Sequence, residues 1–109
     1  MAKLEHSFHS SDFDAVRNRI VNGILNGSIS ATLEDGWDMH GNNSRCSVRV
    51  FERYSWSGEN RVSMSVTLFQ EGAGPVHLCA ITSGGSQALF FKMNTFGEEA
   101  FLDTLREIL

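Results

Sequence analysis

The sequence predicts an α+β domain of two layers. Its first layer is an antiparallel meander sheet of about five strands, and its second is an N-terminal and a C-terminal helix on one face, in the order (β)-α-β-β-β-β-β-α. Three observations predict it. Apolar residues recur at helical spacing near both ends of the chain. Between them, from Ile29 to Met93, apolar and polar residues alternate with period two, as in strands with one covered face. The breaks between alternating runs are short and rich in Gly, Asn and Ser, which joins sequential strands as antiparallel neighbours. The 109 residues suit a single domain over 1–109 that buries a core without disulfides or a metal. If the sheet curls strongly, the same order approaches a helix-grip arrangement, a bent sheet around the C-terminal helix.

Residues 2–9 allow a short first strand with Leu4, His6 and Phe8 on one face. Ser11 is the expected N-cap of the first helix, with Asp12 and Asp14 at its positive end. Phe13, Val16, Ile20 and Ile24 form one stripe, and Val21 and Leu25 widen it. Gly27 suits the residue that ends the helix in the left-handed conformation. Gly23 lies inside the helix, where glycine costs about 1 kcal/mol relative to alanine. A close helix–sheet contact would explain it.

From Ser28 the period is two: Ile29, Ala31 and Leu33 alternate with polar residues. Glu34 to Ser44 (EDGWDMHGNNS) reads as a loop. Cys46, Val48 and Val50 alternate with Arg45, Ser47 and Arg49 in a strand that runs to Tyr54, and Ser57–Asn60 closes a hairpin. Val62, Met64, Val66 and Leu68 then alternate with Arg61, Ser63, Ser65 and Thr67 in the cleanest strand of the chain. A Gly72–Pro75 turn leads to the strand Val76–Thr82. Gly84-Gly85 suits a two-residue hairpin into a last strand, Ala88–Met93. Thr95 and Glu98 match a capping box before a helix carrying Phe101, Leu105 and Ile108.

Composition excludes several functions. A net charge of −4, from 9 basic and 13 acidic residues, argues against a nucleic-acid partner, because phosphate binding draws on a basic excess. The N-terminal MAKLEHSFHSS lacks the apolar core of a signal peptide, and no run reaches 18 apolar residues. A cytoplasmic protein without membrane contact is the expectation. Cys46 and Cys79 read most simply as free thiols that pack like small hydrophobes, with a disulfide or a two-cysteine metal site as the alternatives. Two cysteines alone do not complete a tetrahedral zinc site.

Val48–Ser55 (VRVFERYS), Ala80–Lys92 (AITSGGSQALFFK) and Asn94–Asp103 (NTFGEEAFLD) together resemble a family of small single-domain bacterial proteins carried under a domain-of-unknown-function label. The likeness covers roughly the last two-thirds of the chain. It implies a bacterial cytoplasmic origin, and it brings neither an activity nor functional residues.

No catalytic, cofactor or metal set emerges from the residues, so the expectation leans away from an enzyme. His6 and His9 lie on opposite faces of a strand, too far apart to share a metal. His77 and Cys79 share a face, but two residues along one strand sets them about 6–7 Å apart, too far for a nucleophile and its base. Glu34, Asp35 and Asp38 lack the register of a calcium loop, and no phosphate-loop or dinucleotide fingerprint is present. Ser83-Gly84-Gly85-Ser86 offers backbone N–H groups to an anion, although the tetrapeptide is equally ordinary hairpin chemistry.

The face expected to lie away from the helices carries more information. Arg45, Arg49, Phe51 and Arg53 from one strand, Arg61 and Phe69 from the next, and His77 and Ile81 from a third are expected to share it. A solvated sheet surface accounts for the polar members. The apolar members suit a binding platform or a self-association face, hence a non-enzymatic interaction module that forms a homo-oligomer. Two alternatives stand beside it: a small-ligand carrier or minor enzyme with a pocket between sheet and helices, its ligand unknown, and an anion contact through the arginines.

Overall fold

A computed structural model describes residues 1–54, 61–84 and 91–109, with side chains in the last stretch from Glu98 onward. The elements are β1 (Ala2–Phe8), α1 (Phe13–Gly27), β2 (Thr32–His40), β3 (Ser44–Tyr54), β4 (Arg61–Glu71), β5 (Val76–Gly84) and α2 (Phe91–Ile108). The strands make one open sheet in the order β1-β5-β4-β3-β2, and every neighbouring pair is antiparallel. Strands β2 to β5 form the meander, and β1 adds to the free edge of β5. The α+β architecture of five antiparallel strands and two helices is the one the sequence predicts.

The strand boundaries differ in two places. The strand expected at the N-terminus is present as β1. The strand expected over Ala88–Met93 is not seen: residues 88–90 lie outside the described residues, and Phe91, Lys92 and Met93 are the first turn of α2. The run ALFFKM is too short to display a period, and Ala, Leu, Lys and Met are strong helix formers. Thr95 therefore lies inside the helix and does not cap it. The Glu98 carboxylate, buried, instead accepts hydrogen bonds from the Met1 ammonium at 2.9 Å and from the Gly84 N–H at 3.1 Å. The second difference is β2. Ile29 is fully exposed and outside the sheet, whereas Glu34–His40, expected as loop, is strand. The turn shrinks to Gly41–Asn43, closed by the Gly41 N–H on the Ser44 carbonyl at 3.0 Å.

Helix α1 begins one residue later than expected. Asp12 is the cap, its carboxylate accepting from the Ala15 N–H at 3.0 Å. The stripe Phe13, Val16, Ile20 and Ile24 is buried in full. It meets Phe51, Val62, Met64, Val66, Leu68, Val76, Leu78 and Ala80 from the sheet and Phe101, Leu102 and Leu105 from α2 in one core. Both helices thus cover the same face. Gly27 is the last helical residue and Ser28 the extended cap, so Gly27 is not left-handed. Its smallness serves a contact. A Cβ on Gly27 would stand 2.8 Å from Thr104 Cγ2, and one on Gly23 would stand 2.6 Å from Ile108 Cδ1. The two glycines, one turn apart, let α1 approach α2. The contact is helix on helix, where the sequence suggested helix on sheet.

Candidate functional site

Directly opposed residues of an antiparallel pair point to the same face, so the register sorts the expected surface. Residues Val62, Met64, Val66, Leu68 and Gln70 of β4 are buried under the helices. Opposite them on β3 stand Arg53, Phe51, Arg49, Ser47 and Arg45, in that order. Arg45, Arg49, Phe51 and Arg53 therefore lie on the helix-covered face, which corrects their expected position. Phe51 is wholly buried against the core. The other face of β3 carries Cys46, Val48, Val50, Glu52 and Tyr54, opposite Phe69, Thr67, Ser65, Ser63 and Arg61. Of the expected surface, Arg61, Phe69, His77 and Ile81 do lie together on this open face.

The inversion has a physical cause. Both faces of β3 read as plausible cores, and a one-residue change of register exchanges them. The side with the valines looks more apolar, but the arginines of the other side fit the covered face by laying their stems over apolar surface. Arg45 stacks on the Phe13 ring at 4.9 Å, with its guanidinium paired to Asp14. Arg53 stacks on Phe101 at 4.6 Å. Its burial draws the guanidinium pKa below the ordinary arginine value, and its Nε has no hydrogen-bond partner among the described residues. Arg49 grips Asp38 with both ends of the fork, at 3.1 and 2.8 Å. That pairing, with Arg17 at 3.6 Å from the same carboxylate, holds the Asp38 pKa at about 2, well below its ordinary 3.8. The four arginines once grouped as an anion surface are split between two faces, and Arg61 is itself paired to Glu52 at 2.7 Å.

The open face can be written as rows across the sheet, from β1 to β2. One row is Lys3, Ile81, Ser65, Val50 and Asp35; the next is Glu5, Cys79, Thr67, Val48 and Trp37; the third is Ser7, His77, Phe69, Cys46 and Met39. The middle of these rows has no acidic or basic carboxylate, amine or guanidine. Trp37 is 63% exposed, Met39 49%, Ile81 40% and Phe69 39%, and Val48, Val50, Cys46 and Cys79 are half-buried beside them. Charges stand at the margins: Lys3 and Glu5 on β1, paired at 3.4 Å, Asp35 on β2, and the Arg61–Glu52 pair at one end. Trp37 and Met39 were not legible as surface residues, because Gly36, Asn42 and Asn43 gave their segment the composition of a loop. Gly36 leaves room for the Arg49 side chain, since a Cβ there would meet Arg49 Cδ at 2.6 Å. The spacing of Trp37 and Met39, two apart and in phase with Asp35, is the signal that was available.

The chemistry on this face is modest. His77 Nδ1 and Ser7 Oγ share a hydrogen bond of 2.8 Å beside a shallow depression of 350 Å³ lined by Glu5, Thr67, Phe69 and Cys79. Cys46 and Cys79 are free thiols. They sit on β3 and β5 with β4 between, roughly 10 Å apart, beyond the span of a disulfide. A second depression, of 420 Å³, lies at the end of the sheet among His40, Gly41–Arg45, Gln70 and Gly72. Its polar groups secure the chain connections: Gln70 Nε2 donates to the Ser10 carbonyl at 3.0 Å and to the Gly74 carbonyl at 2.9 Å. Of the turn Ser83–Ser86, Gly85 and Ser86 lie outside the described residues, and the Gly84 N–H is taken by the chain's own Glu98. Among the described residues no three potential metal ligands cluster, and no helix is long and apolar enough to cross a membrane.

The model of a family described as a family of unknown function (DUF6054) matches residues 1–109, so the chain belongs to that family. No curated protein and no solved structure matches the chain.

Proposed function

We propose that this member of a family without an assigned activity is a non-enzymatic interaction module that forms a homodimer through the open face of its sheet. The observation that carries the reading is the distribution of charge and apolar surface on that face, uncharged and partly apolar inside and charged at the rim, the anatomy of a protein–protein contact. An aromatic side chain offers about 200 Å² in full, so Trp37 and Phe69 with Met39 and Ile81 expose on the order of 400 Å² of apolar surface, within the range where a patch is commonly functional. The geometry suits a sheet-sized partner. Five strands spaced about 4.8 Å apart and seven to eleven residues long give a face on the order of 700 Å² per copy. A standard interface buries about 800 Å² per partner. Two half-buried free thiols suit a reducing compartment, and we place the module in a bacterial cytoplasm.

Light scattering at high micromolar concentration tests the reading. The expected result is twice the chain mass for the native protein. Trp37→Lys combined with Phe69→Lys should give the chain mass with an unchanged circular dichroism spectrum, since both side chains leave the helix-covered core untouched. A native protein that stays monomeric overturns the proposal.

A further inference from the structure

We infer that the second copy sits on the open face in one orientation, related by a twofold axis that runs along β4 between the two faces, with Lys3 of each copy opposite Asp35 of the other. The inference rests on the dimer reading above and adds its register. In aligned packing two sheets keep their strands within about 30° of each other, which leaves two simple twofold arrangements. An axis along the strands keeps each row over the same row and reverses the strand order. It places the second copy's Asp35 over Lys3 and its Lys3 over Asp35, Val50 over Ile81, Val48 over Cys79, and Phe69 over Phe69 at the axis, given the observed register. An axis across the strands, through the row of Thr67, exchanges the outer rows. It sets Glu5 on the second copy's Glu5 and the Asp35 carboxylate on Met39. The first arrangement brings unlike charges together twice and sets Glu5, with its own chain's Lys3 at 3.4 Å, over the second copy's Trp37; the second brings no unlike pair together, opposes like charges and strips water from a carboxylate with no cation beside it. Like-charge juxtaposition at an interface selects against a pairing.

Asp35 is the residue that makes the difference. Its carboxylate accepts from the Gly36 N–H at 2.7 Å and has no ion-pair partner among the described residues. Lys3 is only loosely held, 3.4 Å from Glu5 with both side chains exposed. The strand axis also brings Arg61 near its own copy, two rows beyond Ser65, and there each guanidinium is already neutralised by Glu52 at 2.7 Å within its own chain.

Charge reversal by mixing is the test. Lys3→Glu alone and Asp35→Lys alone each create two like-charge contacts per dimer, and each should weaken self-association roughly tenfold at low salt. Mixing the two variants makes both contacts of the mixed pair unlike in charge, so sedimentation should show a mixed dimer within about threefold of native affinity. Variants that dimerise individually as the native protein does overturn the orientation while leaving the dimer intact. Weakened variants that fail to rescue one another overturn the register. A native protein that is monomeric in the same runs overturns the dimer reading itself.

Discussion

Replacing Gly23 with alanine pits helix propensity against the helix–helix contact. Alanine in a helix interior gains about 1 kcal/mol over glycine. The new Cβ would stand 2.6 and 2.7 Å from Ile108 Cδ1 and Cγ1, and such overpacking costs about 1–3 kcal/mol. The clash is with the free end of a half-buried side chain, which sets the cost near 2 kcal/mol and the net loss for Gly23→Ala near 1 kcal/mol. Ile108→Ala removes part of the same contact. For a half-buried isoleucine the loss is about 2 kcal/mol, the low end of the range for such truncations. In the double variant the clash is gone and the propensity gain remains, so the total loss falls back to about 1 kcal/mol, against about 3 for the sum of the singles. A coupling of about 2 kcal/mol in urea unfolding, measured at one fixed protein concentration, is therefore expected. Losses that add to within about 0.5 kcal/mol would refute the reasoning, because independent sites add.

Two further outcomes follow from the ion pairs. The Asp38 pKa, lowered to about 2 in the folded chain, means that the ionised form is the stabilised one. The stability lost in Asp38→Asn should be constant from neutral pH down to about pH 5 and should vanish as pH falls from about 4 to 2. With Asp38 46% exposed, solvent screening limits the effect to under about 1 kcal/mol, and it should shrink in high salt; a difference that grows in acid contradicts the assignment. At Glu98, alanine leaves the Gly84 N–H without its acceptor and should cost about 2 kcal/mol in a denaturation midpoint. Glutamine keeps an acceptor and loses only the pair with the exposed Met1 ammonium, for under about 1 kcal/mol. Equal losses from the two variants would show that the Gly84 bond is not what holds this corner.

The sequence made α1 and β4 legible because each had one apolar side and one polar side. Phe13, Val16, Ile20 and Ile24 have no competing stripe, and neither do Val62, Met64, Val66 and Leu68. β3 had two candidate cores. Only pairing with β4 decides between them, and pairing is a long-range fact that no local window contains. The tip of β2 was hidden by composition: Gly36 looks like punctuation, but it is a strand residue beneath a guanidinium. Phe91 to Met93 suit either a strand or a helix in isolation, and they form the first turn of α2. On the open face, Phe69, His77, Ile81 and Arg61 were placed correctly because their strands were read in the correct phase, and Trp37 and Met39 were missed along with the end of their strand.

The irregularity between Leu33 and Asp35 on β2 has a bearing on how far assembly can go. β2 is an outer strand, and an outer strand with free backbone groups invites lateral addition without limit. Here the extra residue disturbs the ladder, and acidic side chains at Glu34, Asp35 and Asp38 crowd the same short stretch. The opposite border is occupied by Lys3 and Glu5. Growth from side to side, the route to fibres, is thereby discouraged at both borders, and the proposed stacking would cover the open face of the sheet. An assembly built this way closes at two.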